Sequence, residues 1–381
     1  MELGIAGLGV LTVAAALRGR SPTRRTPLDG VLALFFAALA LSTLTTGWPR
    51  AAIGWIHGWN VLAYFVVFWW LPDRDGMLRF VRLMVVAAAI VAAYGILQHF
   101  TGADWYRALL GRPTYVHARD VGSQGYAVVG FFRNYLTFAH VMVFPFAWAM
   151  AKALAGGMAG AVAAILIVVA IIFSTARGAW LAVLAVAVGL ALIDHRRRVL
   201  FTLISFVAVG GVTLLVTPDL RAEAAQMFAR GGANAGRLGI YAANLDIIHD
   251  HPVFGLGFGR YEWASRPYYE AHPDADRNCH AHNNFLQVAA EAGLTGLAAF
   301  GLLWATALRK GWSAARATGS RACPEAAGAW AGICGFLVGG LTQYTFGDAE
   351  VAIAMWVTLA VLMRVVDEGS SHAAAPSSSR S

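Results

Sequence analysis

Charge is scarce in this sequence. Of 381 residues, 13% are Asp, Glu, Lys or Arg, while 58% are hydrophobic and the mean hydropathy is +0.59. That balance cannot cover a soluble globule with polar surface, so a freely soluble enzyme is excluded and an integral membrane protein is required. Lysine is almost missing: Lys152 and Lys310 are the only ones, and arginine supplies nearly all the positive charge. This matters because a guanidinium presents a planar fork that grips phosphate oxygens through paired hydrogen bonds. Cysteine is limited to Cys279, Cys323 and Cys334. The topology below puts the first in an external loop, the second on the cytoplasmic side and the third inside a helix, so no disulfide is expected. No long-period repeat is visible. A basic leader is also missing before the first apolar run, residues 3–17, whereas Arg18, Arg20, Arg24 and Arg25 follow it; a retained first helix fits this better than a signal peptide.

What the chain does have is a succession of apolar runs approaching the roughly 20 residues that cross a bilayer as helix. They fall at residues 3–17, 29–46, 52–71, 81–100, 135–154, 159–174, 178–194, 199–217, 284–307, 325–345 and 351–366, which makes about 11 spans. The formal charge of +8 is dispersed in short basic connections between them: residues 18–25, 74–82, 152, 196–198 and 309–321. Dispersal of this kind argues against nucleic acid as a partner, and positive-inside sorting puts every one of these connections on the cytoplasmic side. Two long loops, residues 101–134 and 218–281, are then external. The expected organisation is N-terminal transmembrane helices over 1–217, a large external loop over 218–283, C-terminal transmembrane helices over 284–368, and a disordered Ser/Ala/Pro-rich tail over 369–381.

Polar chemistry concentrates between Arg237 and Gly296. Arg237 begins a stretch in which Leu238, Tyr241, Leu245 and Ile248 recur at helical spacing, an amphipathic segment that lies along the membrane surface or packs on the bundle. At a helix start, a guanidinium beside free amides makes an anion site; the alternative is a solvated surface arginine. Gly255, Gly257 and Gly259 lack the strand–turn–helix setting of a nucleotide fingerprint and read as a flexible turn that brings backbone near substrate or membrane. His280 and His282 stand where the loop re-enters the bilayer. A neutral imidazole with a pKa near 6.5 can take a proton from an attacking hydroxyl, or the ring can simply be hydrogen-bonded at the interface. A zinc cluster drawn from Cys279, His280 and His282 with His249, His251 and His272 lacks a paired ligand unit, so no metal is expected.

Outside that region, Arg177 lies in Ser174-Thr175-Ala176-Arg177-Gly178, a tight external connection between two apolar runs. It is either a snorkelling interfacial arginine or a phosphate ligand at the membrane surface. Arg133 and Asn134 precede the run from Tyr135 and could touch sugar or phosphate, although helix capping is the stronger local reading of Asn134. Trp105, Tyr106, Trp263, Tyr268 and Tyr269 suit sugar stacking and equally suit the interface for its own sake.

These elements together resemble the O-antigen ligase and polymerase family. The Ser-x-x-Arg-Gly unit ending at Gly178, the arginine at Arg237, and His282-Asn283-Asn284-Phe285-Leu286, similar to the family's His-Asn-x-x-Leu, carry the resemblance. Gly130-Phe131-Phe132-Arg133-Asn134 is similar to its Gly-Phe-x-x-x-Asn, with Asn134 one residue early. The resemblance implies an all-α, polytopic transmembrane helix bundle, GT-C-like, with two periplasmic loops, in the bacterial inner (cytoplasmic) membrane and with its active site facing the periplasm. It further implies a metal-independent, inverting glycosyltransferase without a cofactor, in lipopolysaccharide biosynthesis. The donor would be an undecaprenyl-pyrophosphate-linked glycan; the acceptor would be lipid A-core for a ligase or a second lipid-linked glycan for an O-antigen or exopolysaccharide polymerase. His282 would be the catalytic base, Arg177 and Arg237 the pyrophosphate ligands, and His280, Asn283, Arg133 and Asn134 further substrate contacts. Ligase is the leading reading. A lipid or sugar transporter is the competing class, and it calls for ionisable residues deep in helices, where this chain offers chiefly His57, His140 and Glu291.

Overall fold

The computed structural model describes residues 24–46, 55, 58–71, 73–118, 125–193, 211, 233–275 and 280–374. The expected run at 3–17, the run at 199–217 apart from Gly211, the basic connection at 196–198, Cys279 and His57 lie outside the described residues. Among those described the chain is all-helical, with no strand and an isolated bridge between Ala118 and Tyr126.

The main helices are α1 (Asp29–Thr46), α2 (Leu62–Trp70, entered through a 3-10 turn at Trp59–Val61), α3 (Arg74–Thr101), the short α4 (Trp105–Leu109), α5 (Tyr135–Leu154), α6 (Met158–Phe173) and α7 (Arg177–Ile193). They are followed by α8 (Ala233–Asp250), the short α9 (Tyr261–Ala264) and α10 (Arg266–Ala271), then α11 (Asn284–Ala322), α12 (Pro324–Gly339) and α13 (Ala349–Ala374). Among the described residues, four segments are long and apolar enough to cross a membrane: Arg74–Thr101, Tyr135–Leu154, Asn284–Ala317 and Ala349–Gly369. Shorter apolar helices accompany them at Asp29–Thr45, Trp59–Trp70, Met158–Phe173 and Arg177–Ile193.

The ends of these helices are written in the sequence. Asp73 caps α3 by accepting from the Gly76 amide at 2.7 Å, and Gly102, at φ 68°, stops it in a left-handed turn. Asn134 caps α5 by accepting from the Leu136 amide at 2.8 Å. Pro324 opens α12, where its missing amide costs nothing.

At the centre stands α12, packed on α5, α7, α11 and α13. Half of its residues are Ala or Gly because its neighbours approach closely: a Cβ on Gly328 would meet Trp148, and one on Gly335 would come within 2.9 Å of the Ala182 carbonyl. Small residues suit helix contacts in lipid, where association relies on close packing more than on removal from water.

Three details differ from the expectations. The run expected at 325–345 ends as helix at Gly339, and residues 340–348 form a turn rich in polar groups. α11 is broken at Gly293 (φ 66°, ψ −171°), and the glycine-rich loop docks into the break: the Leu256 and Gly257 amides bond the Ala290 and Glu291 carbonyls at 2.8 and 2.9 Å, and the Leu294 amide bonds the Pro252 carbonyl at 2.7 Å. The Gly255–Gly259 run is thus a docked turn with its own helix partners. Finally, α8 packs inward through Ile240, Ala243, Asn244 and Ile247, while Leu238 and Leu245 of the expected face point outward. A helix apolar on both sides suits a position between bundle and lipid.

The two ends of the bundle differ in charge. At one end Arg24 pairs with Asp367, Arg364 donates to the Leu71 carbonyl, Arg74 donates to the Ala322 carbonyl, and Lys152 pairs with Glu325 at 3.7 Å. Basic connections distant in sequence therefore gather at one end. α5 runs from Asn134 to that end, α12 runs from it to Gly339, and α13 returns from Ala349, so Asn134, Gly339 and Ala349 mark the opposite end.

Candidate active site

At that opposite end a cleft of about 270 Å³ is lined by Asn134, Leu136, His140, His280, Gln343, Tyr344, Thr345, Gly347, Asp348 and Val351. The N-termini of α5, α7, α11 and α13 converge on it, which turns the positive ends of their dipoles toward one place. Tyr344 and Gly347 also wall off a more apolar cavity of about 200 Å³, lined by Phe35, Phe258 and Trp356, which holds none of the expected site residues.

The turn at residues 340–348 ties the site together. The Leu341 carbonyl accepts from Tyr241 Oη of α8 at 3.0 Å and from Asn283 Nδ2 at 2.9 Å. Asn284 donates its backbone amide to the Gly340 carbonyl and its Nδ2 to Thr345 Oγ1, and its Oδ1 accepts from the Phe346 amide. Burial raises the Tyr241 pKa, so its phenol stays a donor; Arg237, one helical turn before it, opposes that shift electrostatically.

His282 is held from two directions. Its backbone sits at φ 49°, in the left-handed region that few non-glycine residues occupy, between the buried Ala281 and the α11 cap at Asn283. Its Nδ1 lies 3.0 Å from Gln343 Oε1. An amide oxygen accepts, so Nδ1 carries the proton and Nε2 carries the lone pair. His280 lines the cleft itself, with its ring centroid 4.2 Å from that of His282 and 5.9 Å from that of Tyr344. Burial and the adjacent His282 imidazole push the His280 pKa down to about 4, so it faces the cleft uncharged.

The remaining expected residues surround this pair. The Asn283 side chain caps α11, accepting from the Phe285 and Leu286 amides at 2.8 and 3.1 Å, and its other end is engaged with Leu341. Asn134 both caps α5 and lines the cleft. Arg133 is exposed at the rim, close enough to Glu350 to act on its charge. Arg177 starts α7, and Gly178 beside it lies against Thr342, His140 and the Gly339 carbonyl. Arg237 falls in the second turn of α8, not at its start, because the helix already begins at Ala233; the free amides of that N-terminus are therefore not its immediate neighbours.

Sequence reasoning missed Gln343, Thr345 and Asp348, having placed the first two inside a span. The polar run Thr342-Gln343-Tyr344-Thr345 was the signal that the span ends sooner. The sequence offers His140 only as a candidate for a transporter. No group of three or more His, Cys, Asp or Glu able to hold a metal occurs among the described residues.

Fold and site thus define a multi-pass helical membrane protein with a polar, histidine-bearing cleft at one end of its bundle. Residues 162–301 match the family described as O-Antigen ligase, and this stretch holds Arg177, Arg237, His280, His282 and Asn283. No curated protein matches the chain.

Proposed function

We propose that this protein transfers a glycan from an undecaprenyl-pyrophosphate carrier to an acceptor hydroxyl, lipid A-core being the acceptor, at the periplasmic face of the inner membrane. The observation that carries this reading is the Nδ1 bond of His282 to Gln343, which sets the Nδ1–H tautomer and makes Nε2 the basic nitrogen of the ring. The acceptor oxygen attacks the anomeric carbon as the carbon–oxygen bond to pyrophosphate breaks. The hydroxyl proton passes to His282 Nε2, and the bonding electrons leave with the pyrophosphate. Attack from the side opposite the leaving group inverts the anomeric centre. Arg177 and Arg237 take the charge that develops on the pyrophosphate, aided by the helix N-termini converging there, so the chemistry has no need of a metal. His280, being neutral, adds no positive charge that would lower the basicity of His282. Arg133 and Asn134 contact the substrate at the rim. A polymerase would use the same steps with a second lipid-linked glycan as acceptor.

The test is a transfer assay in detergent with lipid-linked glycan and lipid A-core. An enzyme transfers without a sealed membrane, and a transporter shows nothing there. His282→Ala is expected to lower transfer by about 10²- to 10⁴-fold with donor binding nearly intact, and His280→Ala much less. Arg177→Ala and Arg237→Ala should each cost roughly 10²-fold. An Arg237→Lys variant with near-normal turnover would sink the two-pronged grip on pyrophosphate.

A further inference from the structure

His140 is a histidine in the cleft that the steps above do not use. It lies on α5, is 4% exposed, and directs Nδ1 to the Leu136 carbonyl at 2.8 Å. A carbonyl only accepts, so that bond fixes the proton on Nδ1, and Nε2 of the neutral ring is a pure acceptor. Nε2 is buried without any hydrogen-bond partner, on a ring that lines the cleft. A buried acceptor left unpaired costs on the order of 1–3 kcal/mol, so the position is suited to a ligand that donates.

We propose that His140 Nε2 is a substrate contact that accepts a hydrogen bond from a sugar hydroxyl seated in the cleft. The chemistry narrows the partner. Phosphate oxygens accept and so cannot pair with a lone pair; an apolar chain offers no donor; a hydroxyl offers one. The wall around His140 agrees, because Asp348 is a second acceptor on the cleft and is itself held by Thr137, one turn before His140 on α5. His140 and Asp348 thus mark a sugar-binding wall of the cleft. Gly178 lies beside the nitrogen: a Cβ there would strike Thr342 Oγ1 and stand 3.3 Å from His140 Nε2. The inference rests on the glycosyl-transfer reading and adds to it the group that selects the sugar.

The experiment measures KM and kcat of the full-length chain in detergent, with glycan-loaded undecaprenyl pyrophosphate and lipid A-core both extracted from the source bacterium's membranes. His140→Phe is expected to raise KM for one of the two glycans about 3- to 10-fold with a smaller change in kcat, as loss of one hydrogen bond does. His140→Gln, which keeps an acceptor oxygen, should recover most of that loss. Gly178→Ala keeps the imidazole but sets a methyl beside it, and should raise the same KM. A folded His140→Phe variant with wild-type KM for both glycans overturns the proposal, as does a glutamine variant no better than phenylalanine. If His140→Phe does not fold, Gly178→Ala decides: an unchanged KM overturns the proposal. A wild-type chain that transfers nothing removes the functional reading and this inference together; transfer with unchanged KM in the variants removes the inference alone.

Discussion

A left-handed backbone at a histidine is costly, on the order of 1–3 kcal/mol, and persists only where its surroundings impose it. At His282 they do, through the Asn283 cap on one side and Gln343 on the other. Gln343 therefore fixes the tautomer of His282, the proposed base. Gln343→Met, which keeps the volume but removes the acceptor, is expected to lower kcat roughly tenfold with little change in donor KM; an unchanged kcat would mean the bond does not orient the base. His280 gives a second prediction. Its pKa falls from 6.5 to about 4 through burial and the His282 ring. Between those values the unfolded chain binds a proton that the folded chain refuses, so stability falls as pH drops through that window. Thermal unfolding in detergent should show the loss, and His280→Gln should show less of it; identical pH profiles would clear His280. His282 and Asn283 were legible because their signature is local, a His-Asn pair at the mouth of an apolar run. Gln343 was not, because its meaning lies in a partner 61 residues away.

At the scale of elements, the break in α11 shows where sequence periodicity stops being informative. Glu291-Ala292-Gly293-Leu294 reads as uninterrupted helix, and only the docked loop reveals the interruption. The carbonyls of Ala290 and Glu291 are taken by loop amides, and Ser42 Oγ on α1 also donates to Glu291 at 2.7 Å. Gly293 is required twice over: its φ/ψ region is essentially reserved for glycine, and a Cβ would collide with the Val253 carbonyl. Gly293→Ala should destabilise the protein by about 2 kcal/mol or more, read as a lower melting temperature in detergent. Gly301→Ala is the internal comparison, since a Cβ there meets nothing within 4 Å and alanine is the better helix former. Equal melting temperatures for the two variants would contradict the docking account. The helix limits themselves were legible at Asn134, Pro324 and the basic turns, where capping chemistry is local. The α12 stop at Gly339 was obscured because apolar residues continue past it to Leu341.

At the scale of the whole molecule, charge sorting and the cleft were legible to different degrees. Sorting needs only the count of apolar runs and the position of arginines, and the structure does bring Arg24, Arg74, Lys152 and Arg364 to one end. The cleft arises from four helix N-termini far apart in sequence, so no single stretch announces it. The orientation proposed for the bundle rests on the same asymmetry. With the basic connections on the cytoplasmic side, the cleft, the α8–α10 segment and the exposed Pro273 would face the periplasm. In a cysteine-free background, Pro273→Cys is expected to react with a membrane-impermeant maleimide in intact cells, whereas Asp75→Cys, exposed at the start of α3, should react only after permeabilisation. The reverse pattern would put the cleft in the cytoplasm. His282 would then face the wrong compartment for a donor presented on the periplasmic leaflet, and the transfer reaction assigned to this site would fall with the orientation.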